Sequence, residues 1–369
     1  MQLDTIESAI AAIANGELVV VVDDTDRENE GDLIMAASKA SPEKIAFMIR
    51  HTSGILCVPM TAERADQLNL APMVANNIDP LRTAFTVSVD YKVGMTTGIS
   101  ATERTATITA LANGNVTGTD FIRPGHIFPL AAMPGGVLTR AGHTEAASDY
   151  ARLAGLLPAA VIADILTPEG MVADGPALRE FADRHQLKIG TIADLIHFRL
   201  ANERTIRRIR EGVVQTGYGE FKLTAYRDQT AGEVHLALSR GDIVPEQPTL
   251  VRVHVQSAMR DLVSTRIEGP QGWNMANCLK AVAESDRGVI VLLVRSESPE
   301  QLLSSVDLAL GKTPAPGIMT PDSYTTVGLG SQILKDLGVG KIHLMGAPIK
   351  YNAISGFGLE VLDFVQPGQ

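Results

Sequence analysis

The sequence predicts two successive α+β domains, the first of them a mixed sheet with flanking helices. The chain of 369 residues is long for one hydrophobic core. Strand and helix signals alternate along it. Charge is uneven, with 15 Lys and Arg against 24 Asp and Glu in residues 1–200, but 17 against 18 in residues 201–369. We therefore expect a first domain over residues 1–200, a linker over 201–213 and a second domain over 214–369.

In the first domain, Ile6, Ile10 and Ile13 share one helical face that ends near Gly16. "ELVVVVD" predicts a buried strand, and residues 32–38 form a second apolar run. "SPEKIAFMIRH" predicts a helix with Ser41 as N-cap. Further strands are expected at "GILCVPM", "AFTVSVD" and "AAVIADIL", and further helices at "ATERTATITAL" after Ser100, "HTEAASDYARLAGL" and "TIADLIHFRLANER".

The second domain follows an arginine-rich segment, "ERTIRRIREGVV". We interpret it as a short linker helix whose arginines face solvent or the other domain. "YGEFKLTAYRD" and "EVHLALSRGDI" predict a pair of hairpin strands. "TLVRVHV" and "GVIVLLV" add strands, and "GSQILKDLG" adds a helix before "KIHLMG".

Composition excludes several classes of protein. A hydrophobic content of 45% with 20% charged residues is that of an ordinary globular protein. The longest apolar runs are too short to span a bilayer, and the first cation is Arg27, so neither a membrane nor a secretory signal is expected. Cys57 and Cys278 lie in different halves, which favours a reducing cytoplasm over a disulfide. The net charge of −10 argues against a nucleic-acid partner.

An acidic loop follows the first strand, with six carboxylates between Asp23 and Asp32. Like charges at this density repel each other unless they are solvated, paired or bound to a cation. In an extended backbone, Glu28, Glu30 and Asp32 alternate onto one side beside Arg27. Such carboxylates suit a divalent cation or acid–base chemistry on a polyol, although a solvated surface loop is the commoner interpretation.

Two further segments carry polar residues that a core would not select. His126 stands in "FIRPGHIFPL", where a structural histidine is the more frequent explanation. In "TRAGHTEAASD", Arg140 and Thr144 flank Gly142 and His143 at the start of a predicted helix. Helix N-terminal amides, an arginine and a hydroxyl form an anion site, and His143 could bind a metal or transfer a proton. These patterns indicate a metal-assisted enzyme for a small phosphorylated or polyhydroxylated substrate.

Five segments in order and spacing resemble one family, 3,4-dihydroxy-2-butanone 4-phosphate synthase of riboflavin biosynthesis. They are "DDTDRENEGDLIMAA", "RHTSGILCVPM", "TTGISATERTATI", "DFIRPGHIFPL" and "RAGHTEAASDYARLAGL". The resemblance covers nearly all of residues 1–200. It implies a homodimeric lyase, with its active site near the subunit interface, that converts D-ribulose 5-phosphate to L-3,4-dihydroxy-2-butanone 4-phosphate and formate. It also implies Mg²⁺ or Mn²⁺, with two ions per active site. Two cysteines are too few for a cysteine-rich zinc site, so no zinc is expected.

The resemblance implies roles for individual residues. Glu28 and His143 match the metal ligands of the family, and His126, Glu30 and Asp164 match catalytic positions. The substrate-binding positions correspond to Arg27, Glu28, Asp32, Arg140, Ala141, Gly142, His143, Thr144 and Asp164. One position departs from the family: Asp164 stands where the family carries an essential glutamate. The carboxylate is one methylene closer to the backbone, and a displacement of about 1 Å can lower a rate roughly 10²-fold.

Residues from about 214 to 366 resemble GTP cyclohydrolase II in "TGYGEFKLTAYRD", "HLALSRGDI", "LVRVH" and "GSQILKDLGVGKIHLM". The active-site motifs of that family are missing. Ser257, Ile267 and Gly269 replace its three zinc-binding cysteines, and "SESP" replaces its "QEGR". We expect a domain without cyclohydrolase activity that stabilises the dimer, regulates the synthase or binds another riboflavin-pathway protein. The alternatives are a bifunctional enzyme that also opens GTP and a non-catalytic pathway scaffold.

Overall fold

The computed structural model describes residues 3–23, 29–265, 273–294, 297, 299–312, 323–346 and 358–366. The chain divides into two compact units, Met1–Phe198 and Arg199–Gln369. Each unit has its own mixed sheet. The sequence predicts the mixed sheet of the first unit and the α+β class of both. Arg27, Glu28, Ile267 and Gly269, to which the sequence assigns roles, lie outside the described residues.

Helices flank the sheet of the first unit. The helices are α1 (Ile6–Ala14), α2 (Pro42–His51), α3 (Ala62–Gln67), α4 (Ala101–Leu111), α5 (His143–Leu153), α6 (Gly175–His185) and α7 (Ile192–Asn202), the last of which contains the division between the units. The strands are β1 (Val19–Val22), β2 (Gly31–Ala36), β3 (Cys57–Thr61), β4 (Val89–Tyr91), β5 (Phe121–Ala132), β6 (Ala160–Asp164) and β7 (Lys188–Thr191). Their order in the sheet is β4-β5-β3-β6-β2-β1-β7.

The valine run is the buried strand that its composition predicts. All four residues of β1 and all six of β2 are buried, because helices cover the sheet. β1 pairs antiparallel with β2 and parallel with β7. Asp4, just before α1, accepts hydrogen bonds from the Ile189 amide (3.0 Å) and from Lys188 Nζ (2.9 Å). The start and end of the unit are therefore joined at one edge of the sheet.

The predicted helix starts are confirmed. Ser41 caps α2 by accepting a hydrogen bond from the Lys44 amide, with Pro42 in the first turn. Ser100 and Glu103 form a capping box at the start of α4. Glu103 also accepts hydrogen bonds from the amide and hydroxyl of Thr96, so it anchors the segment before the helix.

The strand expected at "AFTVSVD" is much shorter than predicted. β4 begins only at Val89, and its register against β5 shifts between Val89 and Asp90. Phe85 and Thr86 form isolated bridges instead. The apolar alternation of the sequence begins before Val89, but the regular hydrogen bonding to β5 does not. This irregular pairing makes the strand shorter than the alternation predicts.

The second unit has the strands β8 (Ile206–Thr216), β9 (Gly219–Asp228), β10 (Val234–Arg240), β11 (Pro248–Val255), β12 (Gly288–Leu293), β13 (Lys341–Met345) and β14 (Glu360–Val365) in the order β14-β13-β11-β12-β10-β9-β8. Strands β11 to β14 are mutually parallel, and β8, β9 and β10 are antiparallel. The helices are α8 (Met275–Glu284), α9 (Pro299–Ala309) and α10 (Ser323–Asp336). Phe221, Trp273, Cys278 and Ile290 are in its core.

The short linker helix that the sequence predicts in the arginine-rich segment is wrong from Ile206 onward, because these residues form β8. Ile206 and Ile209 are three residues apart, a spacing that favours a helix. In the structure the register against β9 shifts between Arg208 and Arg210, so the spacing comes from a bulge. Arg208 pairs with Asp336 (2.8 Å) and with Glu211 (2.8 Å). Among the described residues, the structure has no helix long and apolar enough to cross a bilayer.

Candidate functional site

Two carboxylates lie side by side where β2 and β6 pair. Asp32 and Asp164 are direct partners in this antiparallel ladder, which brings their Cβ atoms to about 5 Å. Asp32 is buried and Asp164 is half-buried. Their charges also act on Cys57 of the neighbouring strand: burial first, and then Asp32 and Asp164, raise the pKa of its thiol to about 12. The thiol is therefore protonated and contributes no charge to this site.

His143 joins the carboxylates from the first turn of α5. It is buried, and its Nε2 lies 3.0 Å from the Val21 carbonyl oxygen of β1. A carbonyl can only accept, so Nε2 carries the proton in this contact. The other ring nitrogen, Nδ1, lies 4.0 Å from Asp32 Oδ1. A backbone acceptor that fixes the tautomer in this way is typical of a metal-binding histidine, and it turns Nδ1 toward the carboxylate.

The acidic loop leaves the sheet between Asp23 and Glu30. The Asp23 amide donates to the Glu30 carbonyl (3.1 Å), and the Glu30 amide donates to Asp23 Oδ1 (3.1 Å). Asn29 has a φ of +56°, the left-handed conformation that asparagine tolerates. Arg27 and Glu28, between these points, are outside the described residues. Val22 and Gly31 are the last paired residues of β1 and β2. The loop starts at the next pair, Asp23 and Glu30, and so it lies close to Asp32.

Arg140 is clamped next to the start of α5. Its guanidinium donates to Glu145 (2.6 Å), to the Leu81 carbonyl (3.0 and 3.2 Å) and to Thr83 Oγ1 (3.2 Å). Glu145 is buried and also accepts from the Met133 amide (3.0 Å). Burial raises the pKa of Glu145, while Arg140 opposes the shift. The sequence analysis did not identify Glu145 as the partner that holds this arginine.

The residue at the helix start beside Arg140 is a glycine. A Cβ at residue 142 would overlap Arg140 Nη1, so the guanidinium would have to move. Gly142 is the N-cap of α5, and it provides no side-chain cap to the first amides. Thr144 is buried in the first turn and Ala141 is half-buried. A guanidinium therefore lies next to a helix N-terminus that has no side-chain cap, and the positive end of the helix dipole adds to its charge.

His126 lies apart from these groups, on β5. One strand, β3, lies between β5 and β6, so the backbones of β5 and β6 are about 10 Å apart. His126 Nδ1 lies 2.8 Å from Asp90 Oδ2, and its amide donates to Asp90 Oδ1 (3.0 Å). Its side chain is 42% exposed, whereas that of Asp90 is 5% exposed. The structure thus brings Asp32, His143 and Asp164 together and leaves His126 at a separate, exposed position with a partner that the sequence analysis missed.

In the second unit, the described part of the altered cyclohydrolase motif is occupied by a hydrogen-bonded pair, His254 and Asp261. Both carboxylate oxygens of Asp261 lie 2.9 Å from His254 Nε2, and Asp261 also accepts from the amides of Ser257 (2.9 Å) and Met275 (3.0 Å). Burial lowers the pKa of His254. Ser257, which replaces a cysteine of that family, therefore participates through its backbone.

Comparison with known proteins separates the same two parts. Residues 7–198 match the family described as 3,4-dihydroxy-2-butanone 4-phosphate synthase, and residues 207–366 match GTP cyclohydrolase II. A 3,4-dihydroxy-2-butanone 4-phosphate synthase of Pseudomonas aeruginosa is 48% identical over 99% of both chains. A riboflavin biosynthesis protein RibBA of Aquifex aeolicus is 44% identical over 99% of this chain and 92% of its own.

Solved structures extend these similarities to the fold. The crystal structure of RibBX from A. baumannii, a two-domain 3,4-dihydroxy-2-butanone 4-phosphate synthase, is 42% identical, with a TM-score of 0.84 over 98% of this chain and 99% of that one. A 3,4-dihydroxy-2-butanone 4-phosphate synthase in complex with two magnesium ions is 46% identical, with a TM-score of 0.53 over 55% of this chain and 99% of its own.

Proposed function

The chain belongs to the 3,4-dihydroxy-2-butanone 4-phosphate synthase family, and from this premise we propose that it is the lyase of riboflavin biosynthesis that converts D-ribulose 5-phosphate to L-3,4-dihydroxy-2-butanone 4-phosphate and formate. The observation that carries the proposal is the convergence of Asp32, His143 and Asp164 where β2, β6 and α5 meet. The cysteine usage supports a cytoplasmic location.

The residues fit a divalent cation, Mg²⁺ or Mn²⁺. We assign its protein ligands to Glu28 and His143, with two ions per active site. In support, the hydrogen bond of His143 Nε2 to Val21 directs Nδ1 toward the carboxylate of Asp32. Carboxylates and few protein ligands suit Mg²⁺, and an imidazole ligand also admits Mn²⁺. When bound, the metal supplies a Lewis acid for the carbonyl and hydroxyl oxygens of a ketose.

The protein groups bind the substrate and move its protons. We propose that Arg140, with Ala141, Gly142 and Thr144, holds the phosphate at the start of α5. Asp32 and Arg27 orient the hydroxyl groups. Enolisation of the ketose requires a base near a carbon-bound proton, and we assign proton transfers to Glu30, Asp164 and His126. The overall reaction consumes no oxidant or reductant, so these groups and the metal suffice.

We also propose a homodimer. His126 is exposed and about two strand spacings from Asp164 within one chain. Exposed aliphatic side chains lie in the segments on either side of β4, at Val74, Ile78 and Ile99. Exposed apolar groups of this kind are typical of an interface, and a second chain could carry its His126 to the site.

The test is formate release from D-ribulose 5-phosphate by the purified full-length protein, with Mg²⁺ and then with excess chelator. We expect formate with Mg²⁺, none with the chelator, and recovery when Mn²⁺ is added back. Glu28→Gln should lower the rate at least 10²-fold while the protein stays folded by circular dichroism. Metal-independent release, or a wild-type rate in Glu28→Gln, would contradict the metal assignment.

For the second unit we propose a non-catalytic role, such as stabilising the dimer, regulating the synthase or binding another protein of the pathway. Its similarity to GTP cyclohydrolase II favours a bifunctional enzyme. However, the whole chain has two cysteines, one in each unit, so it cannot supply the three that hold zinc in that family. We expect no formate from GTP and less than 0.1 zinc per chain, on the order of trace contamination. Stoichiometric zinc would support the bifunctional alternative.

A further inference from the structure

Asp164 is held by a serine that precedes the neighbouring strand β3. Ser53 Oγ donates to Asp164 Oδ2 over 3.1 Å, and the Ser53 amide donates to the Asp164 carbonyl over 2.8 Å. Among the described residues, the Ser53 hydroxyl is the group that donates a hydrogen bond to this carboxylate. One residue thus contacts both the backbone and the side chain of Asp164.

The turn that carries Ser53 is fixed in place. Thr52 Oγ1 donates to the Met48 carbonyl (2.6 Å) and accepts from the Gly54 amide (3.2 Å). Gly54 has a φ of +73°, and its carbonyl accepts from Arg104 Nη1 of α4 over 3.2 Å. Thr52 also forms an antiparallel bridge with Ile165. Both sides of the Ser53–Asp164 contact therefore belong to rigid parts of the first unit.

Charge makes the orientation of Asp164 important. Asp164 faces Asp32 across the ladder, and two carboxylates at this separation repel each other. A hydroxyl that donates to one oxygen of Asp164 stabilises the carboxylate and selects one rotamer. A freely rotating aspartate would spread over several orientations, and catalytic groups lose much of their rate when they are displaced by about 1 Å.

We propose that Ser53 is a positioning residue that orients the Asp164 carboxylate for the lyase reaction, an inference that rests on the function proposed above. The reach of the hydroxyl matters for this contact. A glutamate carboxylate at this position would lie one methylene further from the backbone, beyond the point where Ser53 meets Oδ2. Ser53 and Asp164 should therefore depend on each other in kcat.

The test is a double-mutant cycle on kcat for formate release, with Ser53→Ala, Asp164→Glu and the double variant. Ser53→Ala should lower kcat about tenfold, the value of one hydrogen bond to a charged group, and change KM by less than about threefold. In the Asp164→Glu background the same substitution should change kcat by less than about threefold. Ser53→Thr, which keeps the hydroxyl, should stay within about threefold of wild type.

The matched control is Ser285→Ala in the second unit, where the serine hydroxyl donates to the Val282 carbonyl over 2.9 Å. It should leave kcat unchanged, while thermal melts monitor the folding of every variant. A wild-type kcat in Ser53→Ala overturns the inference, as does an equal loss in both backgrounds. If the wild-type protein released no formate with Mg²⁺, the proposed function and the role of Ser53 would both fail. An active wild type with an unaffected Ser53→Ala overturns the role of Ser53 alone.

Discussion

At the scale of single residues, the site depends on side chains that hold other side chains. Glu145 keeps Arg140 at the start of α5, and Asp90 keeps His126 in one orientation. Neither Glu145 nor Asp90 needs to touch the substrate. Both are buried, so their hydrogen bonds lose little to competition with water. Substitutions of Glu145 or of the surroundings of Asp90 therefore test whether the orientation of Arg140 and His126 matters for activity.

Glu145→Gln should weaken substrate binding. The amide keeps the shape but removes the charge that faces Arg140, so we expect the free energy of unfolding to fall by about 1–3 kcal/mol and KM to rise roughly tenfold. Chemical denaturation and formate kinetics measure the two effects. The matched control is Glu180→Gln, which removes an exposed ion pair with Arg184 on α6 and should cost less than about 0.5 kcal/mol. Equal losses in the two variants would contradict the clamp.

Gly98→Ala should lower activity through His126. A Cβ at this position would overlap Asp90 Oδ2 and would lie 2.9 Å from His126 Nδ1, so the pair must move. Gly94 has the same backbone conformation, with a φ of +72° against +82°, but open space around it. Gly94→Ala should therefore cost a similar backbone strain of about 1 kcal/mol and leave kcat unchanged. If both variants retained wild-type kcat, His126 would have no catalytic role that depends on Asp90.

At the scale of helices and strands, an imidazole pair links the ends of α2 and α6. The rings of His51 and His185 are 4.9 Å apart, and both pack against Phe47 and Phe181. Burial lowers the pKa of His51, and the charges of His185 and Arg50 lower it further. Burial and Arg184 lower the pKa of His185. Protonation of either histidine therefore destabilises the packing of these two helix ends.

This packing predicts a pH dependence with a definite sign. Below the ordinary histidine pKa of about 6.5, the unfolded chain binds protons that the folded pair does not. The free energy of unfolding should thus be highest above pH 6.5 and fall as the pH drops to 5.5. Thermal melts of a His51→Phe and His185→Phe double variant should show a smaller fall, although His197 and His254 retain part of it. Phe47→Leu should destabilise the protein equally at both pH values.

The sequence predicts the helices and strands that depend on interactions between residues close in the chain. The valine run, the caps at Ser41 and Ser100 and the apolar alternation of β9 and β10 require only near neighbours. The segment of β8 resembles a helix in sequence because a bulge changes the spacing of its apolar residues. Its own residues also do not identify the strand with which it pairs. The site shows the same limit: Ser53 and Asp164 are 111 positions apart, and Asp90 and His126 are 36. Only the folded sheet brings such pairs together.

At the scale of the whole molecule, the proposed dimer predicts a measurable mass. Ile78 is 85% exposed in the first unit, and Ile78→Asp should weaken self-association by placing a charge in an apolar contact. Light scattering coupled to gel filtration should give twice the chain mass for wild type and a smaller, concentration-dependent mass for the variant. Leu303→Asp, on α9 and 64% exposed, is the control and should remain dimeric. A wild-type monomer with full activity would contradict the dimer.

The parallel pairing of β1 with β7 affects how the protein is made. β1 is synthesised long before β7, yet β7, near the end of the unit, is one of its two neighbours in the sheet. On the ribosome, the four valines therefore have an open edge until residues 188–191 emerge. An apolar strand edge is a template for pairing with other chains. Nascent chains of this protein should need a chaperone longest during that interval, and truncation before β7 should yield inclusion bodies rather than a smaller enzyme.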